Sequence, residues 1–577
     1  MTAAAGDGSR PFGAGGTPRT FLFLQGPIST FFDRLGRALI ARGHRVHRVN
    51  LHLGDRLFWH LPAENFRGRF ADWRRFIGEL LDCYAVSDLV LHGDRRPYHL
   101  VAAEEARARG IAVLATDLGY LRPDWLTLEY DGLTTYSRFP RDPQRIRELA
   151  AEFPAPELTP RFETPFWLIA SRDIAYNLGL VFGRLLYPHY RYHSTCHPFL
   201  EYAGWLRSRP LKLLAARATA AAKRRLAQQP GSYFLVPLQL QTDFSIRAHS
   251  PYSDLRDAAR AIIASFAASG SRRKLVFVIH PLDNGLLRWH RLIARMAAAT
   301  GVGDRVVTLH GGTPINLQRN AAGVVTVNST TALTAVRLGV PTKVLGNAVF
   351  DVPGLTCQSP LDAFWREAPP PDPELTAAFV RALVGTTQVQ GGYYERRAQD
   401  CAIAGFVERL EQGPYPLPPL GAAELAARAP RPIGRTIAVT GVADRVGDPA
   451  RIADGVRRGG DARLGHVAAL RRRLCGSEVS VAVAAPSRFA RQLAAWLGEP
   501  LLVAAGADLV AERVAVGLRR GRRRIALPGA AAIARALRFL STRSRRTIRA
   551  GLLPRPAQIG GIIDNALPLA GKSASDD

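Results

Sequence analysis

The sequence lacks the features of a membrane-spanning, secreted or disulfide-bonded protein. It has no run of about 18 apolar residues, the length that a transmembrane helix needs. The Gly-rich N-terminus lacks the apolar stretch of a signal peptide. Its five cysteines, at 83, 196, 357, 401 and 475, form no CxxC pair and no even framework. We therefore expect a cytoplasmic protein of a reducing compartment.

Lysine is also scarce, although the chain is strongly basic. Only five of the 77 basic residues are Lys, so Arg supplies most of the net charge of +29. Such a charge often indicates a nucleic-acid or anionic-surface partner. No RNA-binding signature or zinc-finger spacing accompanies it. We expect no nucleic acid, and instead an anionic lipid or a sugar nucleotide. No Asp-x-Asp carboxylate pair is present, so no metal is predicted.

Several apolar strands in the second half of the chain end in polar residues. The strand Val324–Val327 leads into Asn328, Ser329 and Thr330, which open a helix that stops at Gly339. Hydroxyls and free backbone N–H groups at a helix start can hold a phosphate. The alternative is an ordinary strand–helix–strand connection with Ser and Thr as caps.

Two further strands end in histidine. One ends in His280 and Pro281, and the other in His310 and Gly311. The carboxyl ends of strands in open α/β sheets border the crevice where ligands bind. A single His at a strand end is more often structural, but two of them beside the 328–330 segment favour a nucleotide-phosphate site.

The periodicity predicts an α/β fold with a GT-B-like pair of Rossmann-like domains. The first begins with the strand Phe21–Gln25, a turn at Gly26 and a helix over Thr30–Arg42. It lacks GxGxxG, so no NAD site is predicted there. The predicted segments are a disordered N-terminus (1–18), an acceptor domain (19–140), a helical connection (141–228), a donor-nucleotide domain (229–412), a linker (413–433), a truncated Rossmann-like domain (434–557) and a flexible tail (558–577).

Charged residues follow one strand in each predicted half. Asp117, Tyr120, Arg122 and Glu129 come after a strand of the first half and are candidate acceptor contacts. A surface loop with an internal ion pair is an equally good interpretation. In the second half, the strand Tyr233–Leu238 runs into a second set that would emerge at the cleft rim: Gln239, Gln241 and Asp243. Asp243 alternatively makes an Asx-type turn.

An ordered series of blocks then identifies a resemblance. It comprises FLQGPISTFFDRLGRALIARGHRV, TDLGYLRPDWLTLEYDG, YFLVPLQLQTDFSIRAHSPY, IHPLDN, LHGG and NSTTALTAVRLGVPTKVLGNAVFDVPGLT. From about Phe21 to Arg409 the chain resembles the capsular polysaccharide biosynthesis and export family of the KpsS/LipB type. The resemblance implies a retaining transferase that moves β-Kdo from CMP-Kdo to a phosphatidylglycerol-type lipid. It also implies a place at the inner-membrane surface, no cofactor, and contact with other capsule proteins.

The resemblance suggests roles for the candidates. Asp243 would be the nucleophile or ion-pair stabiliser, with Asp117 and Glu129 as the other carboxylates. His280 and His310 would balance charge on the departing CMP, and Ser329 and Thr330 would bind its phosphate. The donor set is His280, Pro281, His310, Gly311, Asn328, Ser329 and Thr330. The acceptor set is Gln25, Gly26, Tyr120, Arg122, Gln239 and Gln241. A non-catalytic export or assembly factor, and a transferase of another nucleotide sugar, are the alternatives.

The C-terminal part of the chain resembles another family only in part. RTIAVTG, from Arg435 to Gly441, resembles the first strand of a short-chain dehydrogenase, and Leu509–Pro554 resembles that family's closing segment. After Arg431 there is no Tyr and only one Lys, Lys572, so a Tyr-x-x-x-Lys proton-transfer pair cannot form. We predict an inactive dehydrogenase-like remnant.

Overall fold

A computed structural model describes residues 18–192, 196–413, 415–430, 468–474 and 477–483. The chain divides after Arg431 into two compact units, and each is described by itself. The described strands are β1 Thr20–Phe23, β2 Arg45–Asn50, β3 Glu64–Asn65, β4 Asp88–His92, β5 Ala112–Leu118, β6 Trp125–Tyr130, β7 Tyr233–Pro237, β8 Lys274–Ile279, β9 Val306–His310, β10 Gly323–Thr326, β11 Thr342–Val344, β12 Gln388–Gln390, β13 Ala468–Leu474 and β14 Ser477–Val483.

The helices surround these strands in the order that alternating strand and helix patterns predict. They are α1 Phe31–Ala41, α2 Leu53–Arg56, α3 Trp73–Cys83, α4 Pro97–Ala108, α5 Pro143–Ala151, α6 Phe166–Phe182, α7 Pro198–Ala227, α8 Phe244–Ala248, α9 Leu255–Ala268, α10 Trp289–Ala299, α11 Ile315–Arg319, α12 Thr331–Arg337, α13 Leu361–Phe364, α14 Pro373–Thr386, α15 Arg396–Gln412 and α16 Ala422–Arg428. Among the described residues, no helix is long and apolar enough to cross a membrane.

The first sheet has seven strands in the order β12-β6-β5-β4-β1-β2-β3. Strands β1 to β5 pair in parallel, whereas β6 and β12 are antiparallel. One face packs on an aromatic cluster that includes Phe31 of α1 and Phe406 of α15. The other face packs on α3 and α4 through Trp73, Ile77 and Tyr98. Both faces are covered, so the central parallel strands β1, β4 and β5 are largely apolar and buried, whereas β2 and β3 towards the edge carry polar residues.

The second sheet has five parallel strands in the order β11-β10-β7-β8-β9. Helices α9 and α10 cover one face through residues such as Ile262 and Ile293. Helices α12 and α14 cover the other through residues such as Leu333 and Phe379. Two Rossmann-like halves are thus present in one unit, and the predicted α/β class with a GT-B-like pair is confirmed.

The end of the predicted donor domain belongs to the first sheet. Strand β12 pairs with β6, with Val389 opposite Leu126, and α15 packs beside α1. The rings of Phe31 and Phe406 lie 5.2 Å apart between centroids. The predicted boundary at residue 412 therefore differs from the structure, because the apolar face of α15 is buried against the first half and not the second.

Long helices connect the two halves, as the mostly helical pattern over 141–228 predicts. They are α5, α6 and the 30-residue α7, which contains Pro210. A short 3₁₀ turn, Gly183–Leu185, follows α6.

In the second unit the structure describes only an antiparallel pair of strands. Strands β13 and β14 pair from Ala468 opposite Val483 to Leu474 opposite Ser477. The predicted dehydrogenase-like strand Arg435–Gly441 and the segment Leu509–Pro554 lie outside the described residues.

Candidate active site

A cleft of about 360 Å³ lies between the two halves of the first unit. Its first wall comes from the ends of β4 and β5, with Arg96 and Asp117. Its second wall comes from the segment after β7, with Asp243 and His249. Tyr192 and Glu201 of the helical connection close one side. The cleft thus lies where carboxyl ends of parallel strands face one another, the usual position of ligands in such folds.

Two carboxylates from opposite walls line this cleft. Burial raises the pKa of Asp117, and the negative charge of Asp243 raises it further. The Leu118 N–H donates to Asp117 Oδ1 at 2.7 Å and, with nearby Arg122, opposes that rise. An Asp with a raised pKa can accept and release a proton nearer neutral pH than an ordinary one.

Asp243 is held by the start of α8. Its Oδ1 accepts from the Ser245 N–H at 2.9 Å, so Asp243 is the N-cap of that helix, and its Oδ2 accepts from Gln239 Nε2 at 3.2 Å. The same Gln239 amide donates to Asn328 Oδ1 at 2.9 Å. The turn that the sequence offered as the alternative for Asp243 is therefore present, and it places the carboxylate on the cleft wall.

His249, which the sequence did not single out, is a further titratable group that lines this cleft. It is 4% exposed and its Nδ1 lies 2.9 Å from Thr135 Oγ1, across the cleft in the first half. Burial lowers its pKa to about 4, against the opposing charge of Asp94. The imidazole is therefore neutral at pH 7. The signal available in the sequence was its place in the run RAHSP, shortly after Asp243.

Two arginines stand at the start of α4 on the first wall. Arg95 donates to Asp94 Oδ2 at 2.9 Å and lies over the Tyr136 ring at 3.6 Å. The side chain of Arg96 is half-buried and has no hydrogen-bond or ion-pair partner within the described parts of the chain. A half-buried cation without a partner favours an anionic ligand, because burial of an uncompensated charge is costly.

His280 lies near Asp243 but does not line the cleft. Its Nδ1 accepts from the Leu282 N–H at 3.1 Å, so the ring proton is on Nε2. Burial and the charge of Arg122 together lower its pKa to about 4, while the charge of Asp243 opposes this shift. A neutral ring can donate a hydrogen bond but does not balance charge. With a neutral ring, His280 would act on CMP through a hydrogen bond, and its charge-balancing role stays a prediction.

His310 lies in a second group of basic residues at the end of β9. Its ring centroid is 4.3 Å from that of His290, and burial lowers its pKa to about 4. Two lysines of α7 cap nearby carbonyl groups: Lys223 donates to the Gly312 oxygen at 2.6 Å, and Lys212 donates to that of Asp283. Gly311 has a φ of 82° and bends the chain here. His310 is also neutral at pH 7.

Helix α12 is short, and the three polar residues before it have different surroundings. Asn328 is 8% exposed and its Nδ2 donates to the Ser245 oxygen at 3.0 Å, so it is used within the fold. Ser329 Oγ accepts from the Thr331 N–H at 3.3 Å, and Thr330 is half-buried. Helix α12 has seven residues, which limits its dipole. Ser329 and Thr330 remain accessible candidates, whereas Asn328 supports the Asp243 wall. Pro281 is exposed.

Most predicted acceptor-side residues support the fold. Gln25 is 1% exposed and donates to Asp55 Oδ1 at 3.3 Å. Gly26 adjoins Phe32, whose ring lies 2.7 Å from where a Cβ would stand. Gln241 Oε1 accepts from the Leu255 N–H at 3.2 Å. Arg122 is the exception, because its charge acts on both Asp117 and His280.

Glu129 is not placed for catalysis. It is 3% exposed, does not line the cleft, and accepts from Tyr120 at 2.8 Å and from Ser137. Burial raises its pKa to about 7. The catalytic assignment of Glu129 and the acceptor assignment of Tyr120 are thereby corrected: the pair satisfies itself inside the first half.

The matched family model covers residues 87–394 and is described as capsule polysaccharide biosynthesis protein. This range includes both walls of the cleft and the His280 and His310 strand ends. The chain belongs to that family. The resemblance drawn from the sequence blocks is therefore confirmed.

Individual members of the capsule family are similar over most of the first unit. The capsule polysaccharide export protein KpsS of Escherichia coli is 33% identical over 381 residues, which is 65% of this chain and 97% of that protein. The capsule polysaccharide modification protein LipB of Neisseria meningitidis is 31% identical over 386 residues, 65% of this chain and 91% of LipB.

Solved structures match only loosely. The β-Kdo 2,7 transferase KpsC of Thermosulfurimonas dismutans has 13% identity and a TM-score of 0.34 over 68% of this chain and 99% of KpsC. The UDP-GlcNAc 2-epimerase of Methanocaldococcus jannaschii has 12% identity and a TM-score of 0.24, covering 68% of this chain and all of that one. At these TM-scores they add no argument about the chemistry of this cleft.

Proposed function

We propose that this capsule-family protein is a retaining glycosyltransferase that moves β-Kdo from CMP-Kdo to a phosphatidylglycerol-type lipid. The observation that supports it is the pair Asp117 and Asp243, which face one another from the two halves closely enough for one charge to raise the other's pKa. A double displacement requires one carboxylate as nucleophile and a second group that takes the proton of the acceptor. CMP-Kdo is a substrate here, and no cofactor is part of the proposal.

The first displacement would use Asp243. Its carboxylate oxygen attacks the anomeric carbon of the sugar while the bond from that carbon to the CMP phosphate oxygen breaks. CMP leaves with the electron pair and a glycosyl ester remains on Asp243. His280, with its proton on Nε2, and the Ser329 and Thr330 hydroxyls would donate hydrogen bonds to the departing phosphate.

The second displacement would use Asp117. The acceptor hydroxyl oxygen attacks the same carbon, its proton passes to Asp117, and the ester bond to Asp243 breaks. Two inversions give net retention. Arg96, the cleft cation whose side chain has no partner in the described chain, would bind the anionic group of the sugar or of the lipid headgroup. The protein would act at the inner-membrane surface, beside other capsule proteins.

One observation favours a second function. Asp243 is the N-cap of α8, and the Gln239 amide donates a hydrogen bond to Asn328. A scaffold protein without catalytic activity would use these polar residues in the same way. A non-catalytic capsule export or assembly factor is therefore the second candidate. A transferase of another nucleotide sugar would use the same cleft.

The deciding experiment is incubation of the full chain with CMP-Kdo and a fluorescent phosphatidylglycerol analogue, followed by mass measurement of the lipid. We expect a mass gain of one or more Kdo units. Asp117→Asn and Asp243→Asn should each lower the rate by at least about a thousandfold. Asp304→Asn, at an exposed carboxylate far along the chain from both, is the control and should be fully active. No product from the wild type with CMP-Kdo or other nucleotide sugars would favour the assembly factor.

A further inference from the structure

Exposed apolar side chains are concentrated on one part of the first unit. Of the 17 large apolar side chains exposed in the described part of the chain, 11 lie between Trp167 and Leu214, on α6, the turn after it and α7. Leu185 is 93% exposed, Leu214 82% and Leu206 79%. Soluble surfaces carry such residues singly, and a concentration of this kind marks an interaction site. We call the surface that these side chains form the α6–α7 face.

The same segment is strongly basic. Between residues 166 and 227 there are ten Arg or Lys residues and two acidic ones, Asp173 and Glu201. Neither acidic residue adds negative charge to the exposed surface: Asp173 accepts from the Tyr202 hydroxyl at 2.9 Å, and Glu201 lines the cleft. The outward charge is therefore positive, and the exposed basic residues include Arg184, Arg209 and Arg217.

We propose that the α6–α7 face docks on an anionic lipid bilayer. Apolar side chains interspersed with arginine on helices that cannot span a membrane are typical of segments that lie in the bilayer interface. The apolar residues enter the boundary between headgroups and acyl chains, and the arginines contact the anionic headgroups. A protein partner would need a complementary acidic and apolar surface, whereas the bilayer supplies both chemistries at once.

A small cavity beside this face shares one lining residue with the cleft. The cavity, of about 90 Å³, is lined by Leu180, Val181 and Arg184 beside the face, and by Tyr190 and Tyr192 on its inner side. Tyr192 also lines the cleft. A lipid whose acyl chains stay in the bilayer could thus bring its headgroup past Tyr192 to Arg96. This second step rests on the proposed function; the docking does not.

The test is sedimentation of the full chain with vesicles, without any sugar nucleotide. We expect binding to vesicles of phosphatidylglycerol and phosphatidylcholine, and at least about tenfold weaker binding to phosphatidylcholine alone or at 1 M salt. The double variant Phe182→Ser, Leu185→Ser should bind anionic vesicles at least about tenfold more weakly. Ile315→Ser, which removes a side chain 55% exposed on α11, is the matched control and should bind as the wild type.

Several outcomes would overturn the proposal. One is a wild type that stays in the supernatant with anionic vesicles, and another is a double variant that binds them as tightly as the control. A change of oligomeric state in the double variant, measured by analytical ultracentrifugation, would make the face a contact between copies. Circular dichroism of each variant shows whether it is folded, and the single variant Leu185→Ser serves if the double one is not. A wild type that binds anionic vesicles but transfers no sugar would count against the proposed function alone.

Discussion

The neutral His280 ring leads to a prediction at the scale of one residue. Its Nε2–H would donate one hydrogen bond to the donor phosphate, so His280→Ala should weaken CMP binding by about 1 kcal/mol, roughly fivefold. Because burial lowers the pKa of His280 to about 4, the ring stays neutral from pH 6 to pH 8. The ratio of the CMP affinity of the wild type to that of His280→Ala, measured by calorimetry, should be the same at pH 6 and at pH 8. A ratio several times larger at pH 6 would show a charged imidazolium and contradict this role.

His249 should contribute to acid sensitivity. Its pKa is lowered to about 4 in the fold and is about 6.5 when unfolded, so the unfolded chain binds the proton more tightly. Stability is then highest above pH 6.5 and falls as the pH drops towards 4, by about 1 to 2 kcal/mol between pH 7 and 5. His249→Gln should lose less stability over that interval, as measured by urea unfolding at both pH values. An identical loss in the variant would mean that His249 titrates normally.

At the scale of elements, Asp243 is both the N-cap of α8 and the proposed nucleophile, and two substitutions separate these roles. Asn is as good an N-cap as Asp, so Asp243→Asn should keep α8 and the bond from the Ser245 N–H, and lose only the contact with Gln239, while it loses transfer. Asp243→Ala should lose transfer and also about 1 kcal/mol of stability, because the Ser245 N–H and the Gln239 amide lose their acceptor. Denaturant unfolding compares the two. Equal stability of both variants would show that the cap contributes little.

The elements that the sequence predicted well are those with apolar runs bounded by turn residues. Strands β7, β8 and β9 end within a residue or two of the predicted polar positions. Strand β12 was not predicted, because it is very short and depends on pairing with β6, which lies far away along the chain. His249 was missed for a related reason: its partner Thr135 lies in the other half, and no local pattern shows that contact.

The same limit explains the acceptor-side assignments. Tyr120 and Gln25 follow strands of the first half, as binding residues do, and Glu129 lies within β6. Their partners, Ser137 and Asp55 among them, come from loops and short helices packed on those strand ends. The position of a polar residue at a strand end follows from local periodicity, whereas its engagement by a neighbour depends on tertiary packing. Asp117 and Asp243 could therefore be nominated from sequence, and Glu129 could not be rejected from it.

At the scale of the whole molecule, part of the predicted linker 413–433 belongs to the folded first unit, and this decides where the chain can be truncated. Arg428 is 5% exposed and donates to the Ser137 oxygen at 2.6 Å, while Asn347 Nδ2 donates to the Arg428 oxygen at 2.7 Å. The segment 415–430 thus joins the two halves, and Leu417 is part of the core beside the second sheet. Truncation must therefore follow Pro430 and not Gln412.

The chain truncated after Pro430 should fold and keep sugar transfer, because both cleft walls and the Arg428 contacts remain. The chain truncated after Gln412 should be less stable by several kcal/mol, since it leaves the buried Ser137 carbonyl and the Asn347 amide without partners and uncovers apolar surface. Urea unfolding and the lipid mass assay compare both with the full chain. Arg428→Lys in the full chain tests the contact alone and should be destabilising with transfer retained. If the full chain transfers sugar and a folded chain ending at Pro430 does not, residues from 431 onwards take part in the reaction.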